Sequence, residues 1–121
     1  MKLHRYGFFR ELAHGEPNGG SLLTLRDTAQ YSMGIREAIA SYLEQGHLLI
    51  ACPGTVADVF RSDDKPVASP HVLTDGQWAW PGDLAYYVRT YNVPVPQVLL
   101  NRMEANRWSV PSPIDLSVLE L

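Results

Sequence analysis

Four histidines, one cysteine and a scatter of carboxylates are the groups of this chain whose types could do chemistry. His4, His14, His47 and His71 stand apart from one another, with no HExxH or HxH pair and no cysteine at ligand spacing. A metal would need distant residues to converge, so no metal ligand set is expected. Cys52 lies in Ile50-Ala51-Cys52-Pro53-Gly54, which supplies neither a base nor a helix N-terminus to lower a thiol pKa. It reads as a small buried hydrophobe. There is no GxSxG, and Gly54-Thr55-Val56 is not followed by Gly-Lys-Ser/Thr, so no phosphate-cradling loop is expected. Asp58, Asp63, Asp64, Asp75 and Asp83 are dispersed. Asp63 and Asp64 are neighbours in a polar turn, which does not make a pair with separately tuned pKa values. These observations predict no catalytic residue and no cofactor.

The aromatics remain. Trp78, Trp80, Tyr86, Tyr87, Tyr91 and Trp108 gather in the C-terminal half. Core packing accounts for most of them, since large rings dominate burial. Tyr86 falls outside the Leu84–Val88–Tyr91 stripe and is the candidate for a partner-binding surface, where Tyr and Trp are enriched. Stacking on bases would require a basic groove, which is missing.

The elements that must position these groups are partly legible. Thr74-Asp75-Gly76-Gln77-Trp78-Ala79-Trp80-Pro81 reads as a hairpin running into a helix. Asp75-Gly76 is a signal for a two-residue type I′ turn, with Trp78 and Trp80 on one face of the second strand and Pro81 at the first helical position. Asp83 falls in that helix's first turn, where a negative charge suits the dipole. The helix is expected from about Pro81 to Tyr91, and a third opens at Pro96 with Leu99, Leu100 and Met103 buried. Upstream, Ser32 can cap a helix whose Ile35, Ala38, Ile39, Tyr42 and Leu43 form an apolar stripe, ended by Gly46. Glu37 and Glu44 sit on its solvent side. His47–Cys52 reads as a buried central strand, Leu3–Phe9 as a first strand and 14–20 as a mobile polar loop. Ser21–Arg26 fits either a short strand or a helical turn. Thr55–Phe60 is a further candidate strand, and the tail from Ile114 to Leu121 either docks as an edge strand or lies on the surface. The sum is one α+β domain over residues 1–121: a small antiparallel sheet with the hairpin, packed against two or three helices.

With 121 residues and 45% apolar content, the chain suits one domain with a real core. The formal charge is −3 and the pI about 5.7, so no basic stripe is available for a phosphate backbone, and nucleic acid is disfavoured as a partner. An acidic surface mates instead with a basic protein. A single cysteine allows no internal disulfide. The opening Met1-Lys2-Leu3-His4-Arg5-Tyr6 lacks the apolar core of a signal peptide, and no run approaches a membrane span, so a cytoplasmic protein is expected.

The pattern Thr74-Asp75-Gly76-x-Trp78-x-Trp80-Pro81-x-x-Leu84-x-Tyr86-Tyr87-Val88, followed by Tyr91, Pro94 and Pro96, resembles small bacterial proteins of the polymorphic-toxin immunity type. Tyr6-Gly7-Phe8-Phe9-Arg10-Glu11-Leu12 and Leu25-Arg26-Asp27 extend the likeness. The resemblance implies a non-catalytic immunity protein that neutralises a cognate toxin encoded by a neighbouring gene. It carries over no catalytic residue. Contacts to a toxin are expected from exposed acids and polar loops, namely Glu11, Glu16, Asp63, Asp64 and Glu104, together with Tyr86. Two other readings stay open. One is a generic interaction or regulatory module, including a homodimer through an edge strand or the tail. The other is a small enzyme or ligand-binding domain whose site is assembled from His4, His47, His71 or Cys52.

Overall fold

A computed structural model describes all of residues 1–121. Its elements in chain order are β1 (His4–Arg5), α1 (Leu22–Leu25), α2 (Met33–Glu44), β2 (His47–Ile50), β3 (Val56–Ala57), β4 (Pro66–Ala68), β5 (Val72–Thr74), β6 (Trp78–Pro81), α3 (Leu84–Tyr91), α4 (Gln97–Ala105) and a closing 3-10 turn at Leu116–Val118. The fold is α+β. A four-stranded sheet runs β1-β6-β5-β2, and β3-β4 forms a separate two-stranded ribbon. The main sheet is mixed: β5 pairs antiparallel with β2 and β6, while β1 pairs parallel with β6. No hairpin links β1 to β6, so nothing local dictates an antiparallel pairing there.

The hairpin forms one register away from the expected turn. Thr74 faces Ala79, and Asp75 N–H reaches Trp78 O at 3.3 Å, so the two turn residues are Gly76 and Gln77. Gly76 alone of these carries a positive φ, 99°, as a glycine in the first central position of a type II′ turn does. Asp75 is thereby released from the turn's special backbone. Its side chain instead accepts from Gln77 N–H at 3.0 Å and Trp78 N–H at 2.8 Å, which holds the loop from inside. Pro81 ends β6 opposite Val72 rather than opening the helix, and α3 starts at Leu84.

The helices cover one face of the sheet. Trp80 is fully buried among Tyr42, Leu43, Leu84, Val88, Leu99 and Met103, and its indole N–H donates to Leu43 O at 3.0 Å. Trp78 packs at the margin of the same core, so both tryptophans share the helix face as their alternation predicts. Ala79 points to the other face, with Leu3 and Val72, where Phe8, Leu49, Leu119 and Leu121 complete a smaller cluster. The tail does dock at the sheet margin: Glu120 bridges Lys2, and Leu3 N–H donates to Glu120 O at 2.7 Å.

β2 is an edge strand, not a central one. It pairs only with β5, and Leu48 and Ile50 stay 48% and 41% exposed. A short apolar run does not distinguish burial on two faces from burial on one. Ser21–Arg26 resolves as a single helical turn. Ser21 accepts from Thr24 N–H, and Glu11 receives Leu22 N–H at 2.8 Å and Leu23 N–H at 2.9 Å. The 14–20 loop is packed: Glu16 N–H donates to Phe8 O at 3.1 Å, and a Cβ on Gly15 would fall 1.7 Å from Phe9 O, so the backbone passes where only glycine fits. No helix is long and apolar enough to cross a membrane.

Candidate functional site

Asp58 follows β3 and enters the interior with only 3% of its surface exposed. A carboxylate so placed needs donors. Its Oδ1 accepts from Phe60 N–H at 2.7 Å, which folds the chain back after the strand. Its Oδ2 accepts from the hydroxyls of Tyr86, at 2.6 Å, and of Tyr91. Burial works to raise the Asp58 pKa, but the two tyrosine hydroxyls and the Phe60 amide outweigh it and hold the carboxyl below its ordinary value. The same carboxylate, with burial, pushes the Tyr91 hydroxyl up to about 12. Tyr86 is raised too, by burial first and then by Asp58.

Rings close around this hub. Phe60 meets Tyr91 edge-on with centroids 4.9 Å apart, and Tyr87 at 6.2 Å. The Arg26 guanidinium lies 4.5 Å over the Phe60 ring. Tyr87 is buried, and its hydroxyl accepts from Val59 N–H at 3.0 Å. The β3-β4 ribbon is therefore tied to α3 by tyrosine hydroxyls spaced along one helix. Arg61, next along the chain, pairs with Asp63, whose Oδ1 also accepts from Lys65 N–H at 3.2 Å. Asp64 is exposed beside it in a left-handed conformation, φ 55°. Of the candidates from sequence, Tyr86 reaches this segment through Asp58, and Asp63 and Asp64 lie together at the turn that follows it.

The other expected contact residues lie elsewhere. Glu11 is an exposed residue, but its carboxylate is occupied: it accepts from Ser21 Oγ–H at 2.7 Å and from two amides of α1. Burial raises its pKa, but these donors prevail and bring it down to about 2. Glu16 pairs with Arg5 at 2.8 Å. Glu104 is exposed on α4.

The histidines do not gather. His4 packs against the Trp78 ring at 5.1 Å, and His47 donates from Nε2 to Pro111 O at 2.8 Å. His71 Nδ1 accepts from Cys52 N–H at 2.8 Å, so that lone pair is taken. His14 lies with Nε2 3.1 Å from each carboxylate oxygen of Asp83, which is fully buried just before α3. Asp83 makes no side-chain cap to the helix; its partner is His14 instead. His14 Nδ1 is buried without a partner. His14 also lines an apolar cleft of about 260 Å³ between Leu12-Ala13 and the β3 segment Val56-Ala57, with Val59 beside them.

Sequence inspection missed Asp58 and Asp83 as organisers. The available signal was a lone acid inside Val56-Ala57-Asp58-Val59-Phe60, since a charge within an apolar run is buried only when partnered. No group of three or more His, Cys, Asp or Glu side chains is arranged to hold a metal ion. No family model, no curated protein and no solved structure matches this chain.

Proposed function

We propose that the protein is a non-catalytic bacterial immunity protein, working in the cytoplasm, that binds a basic cognate toxin domain and blocks it. The observation that carries this reading is the aromatic and acidic face at the end of the β3-β4 ribbon. Tyr86, Asp63 and Asp64 lie there on a backbone fixed by Asp58, Tyr87 and Tyr91. A rigid face with half-buried tyrosines, an Arg61–Asp63 pair and an exposed Asp64 has the makings of a protein-binding surface. Tyrosine supplies contact area at low entropic cost, and the acids raise the association rate with a basic partner.

The test is growth rescue. The product of the neighbouring gene is expressed with and without this protein, and the purified pair is run together by size exclusion. A one-to-one complex with restored growth is the expected result. Equal killing in both cultures removes the proposal.

A further inference from the structure

The two outer strands of the main sheet are finished differently. At the β1 margin, His4 N–H and Tyr6 N–H bond toward β6 at 2.9 and 3.1 Å, while Leu3 N–H, out of phase with them, donates outward to Glu120 O of the tail at 2.7 Å. That edge is closed. At the other margin, residues 47–51 make no main-chain hydrogen bond beyond the β2-β5 ladder. We propose that β2 pairs antiparallel with β2 of a second copy of this chain, giving a two-fold dimer whose axis passes by Leu48.

Alternation identifies the free groups. Asp75 N–H bonds to Trp78 O and Gly82 N–H to His71 O, so His71, Leu73 and Asp75 direct their main-chain groups toward β6. Val72 and Thr74 then bond toward β2, and His47 is the partner of Thr74. Leu48, one residue on, turns its N–H and C=O outward. The segment leading to the tail meets β2 at the His47 side chain, bonded to Pro111 O, and leaves the Leu48 backbone bare. Facing residues in an antiparallel ladder exchange both of their bonds. Two copies of Leu48 do so about a two-fold axis.

The composition of the edge selects a copy of itself as the occupant. Gly46 to Gly54 holds no Asp, Glu, Lys or Arg. Exposed edges are commonly blunted by charge, lysine above all. An uncharged strand offers nothing to a partner chosen by opposite charge, and it does not repel its own image. With Leu48 on the axis, His47 lies opposite Leu49 of the second copy, so no like charges face one another. Leu48 and Ile50, 48% and 41% exposed, are the apolar surface that pairing removes from water.

The edge also limits the assembly. β2 is four residues long, and its register shifts between Leu48 and Ile50. A standard stable interface uses roughly 20–30 residues a side, so this dimer is weak, with a Kd on the order of 0.1 mM. It stops at two, because one patch serves both copies and the tail closes the far edge. The dimer needs no toxin, so its test is read apart from growth rescue.

Sedimentation equilibrium of the whole chain tests the proposal between ~10 µM and ~1 mM, concentrations that bracket that Kd. The mass should rise from 13.5 kDa toward twice that value and no further. Leu48→Lys charges a half-exposed position and should keep the protein monomeric, with its melting temperature read alongside. Val98→Lys, on the exposed side of α4, should leave the dimer intact. A second pair of variants reads the register. Facing Leu48 residues put their Cα atoms about 5.5 Å apart, within disulfide range. Leu48→Cys in a Cys52→Ser background should therefore oxidise to a covalent dimer, and Val98→Cys in the same background should not. A monomer throughout the concentration range overturns the proposal. So does a dimer that survives Leu48→Lys, dissolves with Val98→Lys, grows beyond two copies, or fails to cross-link through position 48.

Discussion

Nε of Arg102 donates to Oδ2 of Asp75 at 2.7 Å, and the same oxygen accepts the Tyr42 hydroxyl at 2.6 Å. Asn106 completes the group by donating to the Tyr42 oxygen at 3.0 Å, and Arg102 Nη2 donates to the Asp75 carbonyl at 3.0 Å. One carboxylate from the hairpin loop thus fastens α2 and α4 to the end of the sheet. Burial, then the Asp75 carboxylate, pushes the Tyr42 hydroxyl well above its ordinary range.

Removing Arg102 while leaving Asp75 strands a buried charge. Arg102→Met should cost about 3–5 kcal/mol, the range for breaking one side of a buried pair. Asp75→Asn should also destabilise, because its single amide oxygen can serve the loop amides of Gln77 and Trp78 or the Tyr42 and Arg102 donors, but not both, and its NH2 then faces donors on the other side. Urea unfolding checks both through the midpoint at unchanged slope. A loss below about 1 kcal/mol for Arg102→Met would mean that Asp75 is solvated rather than held by the helix.

Asp58 makes stability fall at acid pH. Its folded pKa lies below the ordinary 3.8, so its contribution is complete above that value and is lost as pH falls through the folded one. Glu11 extends the same limb, from 4.5 in the unfolded chain to about 2 in the folded one. Asp58→Asn should cost about 1–3 kcal/mol at neutral pH, the scale of hydrogen bonds to a charged group, and should flatten the acid limb. Thermal unfolding followed from pH 7 to pH 2 reads both effects, with ~1 kcal/mol as the smallest useful difference.

Tyr91 bounds the alkaline side. Its pKa is raised from 10.0 to about 12, so its contribution is present below pH 10 and fades as pH rises toward 12. Tyrosinate absorbance should show Tyr91 titrating late in the folded protein. In Asp58→Asn the largest cause of that shift is gone, and the step should move toward 10. An unmoved step would remove Asp58 as the cause.

Arg89 grips two exposed glutamates across the α2–α3 interface, Glu37 at 2.8 and 2.9 Å and Glu44 at 2.8 and 3.1 Å. Solvent limits what this is worth. Arg89→Lys should cost no more than about 1 kcal/mol, and the difference should vanish in ~1 M salt. Melting temperatures of the two proteins with and without salt decide it. A deficit that persists in salt would point to lost packing of the arginine stem.

The helices, their order and the hairpin could be read from the chain because local signals carry them: Ser32 as cap, the Ile39–Tyr42–Leu43 stripe, and alternation of Trp78 with Trp80. Asp75 was legible as a turn residue only. Shifting the turn by one position, onto Gly76-Gln77, converts the same residue from a strained backbone site into an interior anchor. The partners of that anchor, Tyr42 and Arg102, lie 33 and 27 residues away. The placement of β2 failed for a related reason. Its apolar run is compatible with either position in the sheet, and which flank stays empty depends on where β1 and the tail dock. Among the candidate contacts, Tyr86 stands out in the sequence because it breaks a helical stripe, and in the structure it bonds Asp58. Asp58 was not found because its partners lie on α3, 28 and 33 residues on.

The acidic face makes a kinetic prediction. If the partner is basic, Asp63→Lys with Asp64→Lys should slow association on the order of tenfold at low ionic strength while changing dissociation little, because rim charges act mainly on encounter. Tyr86→Ala should do the reverse, raising the dissociation rate as truncation of an aromatic anchor does. Its effect on the fold is separable, because Tyr91 and the Phe60 amide still hold Asp58. Glu104→Lys, on α4 and outside the Asp58 cluster, discriminates between faces. Surface plasmon resonance at two salt concentrations reads all three variants. Slowing by Glu104→Lys with no effect of Asp63 and Asp64 would move the interface to α4.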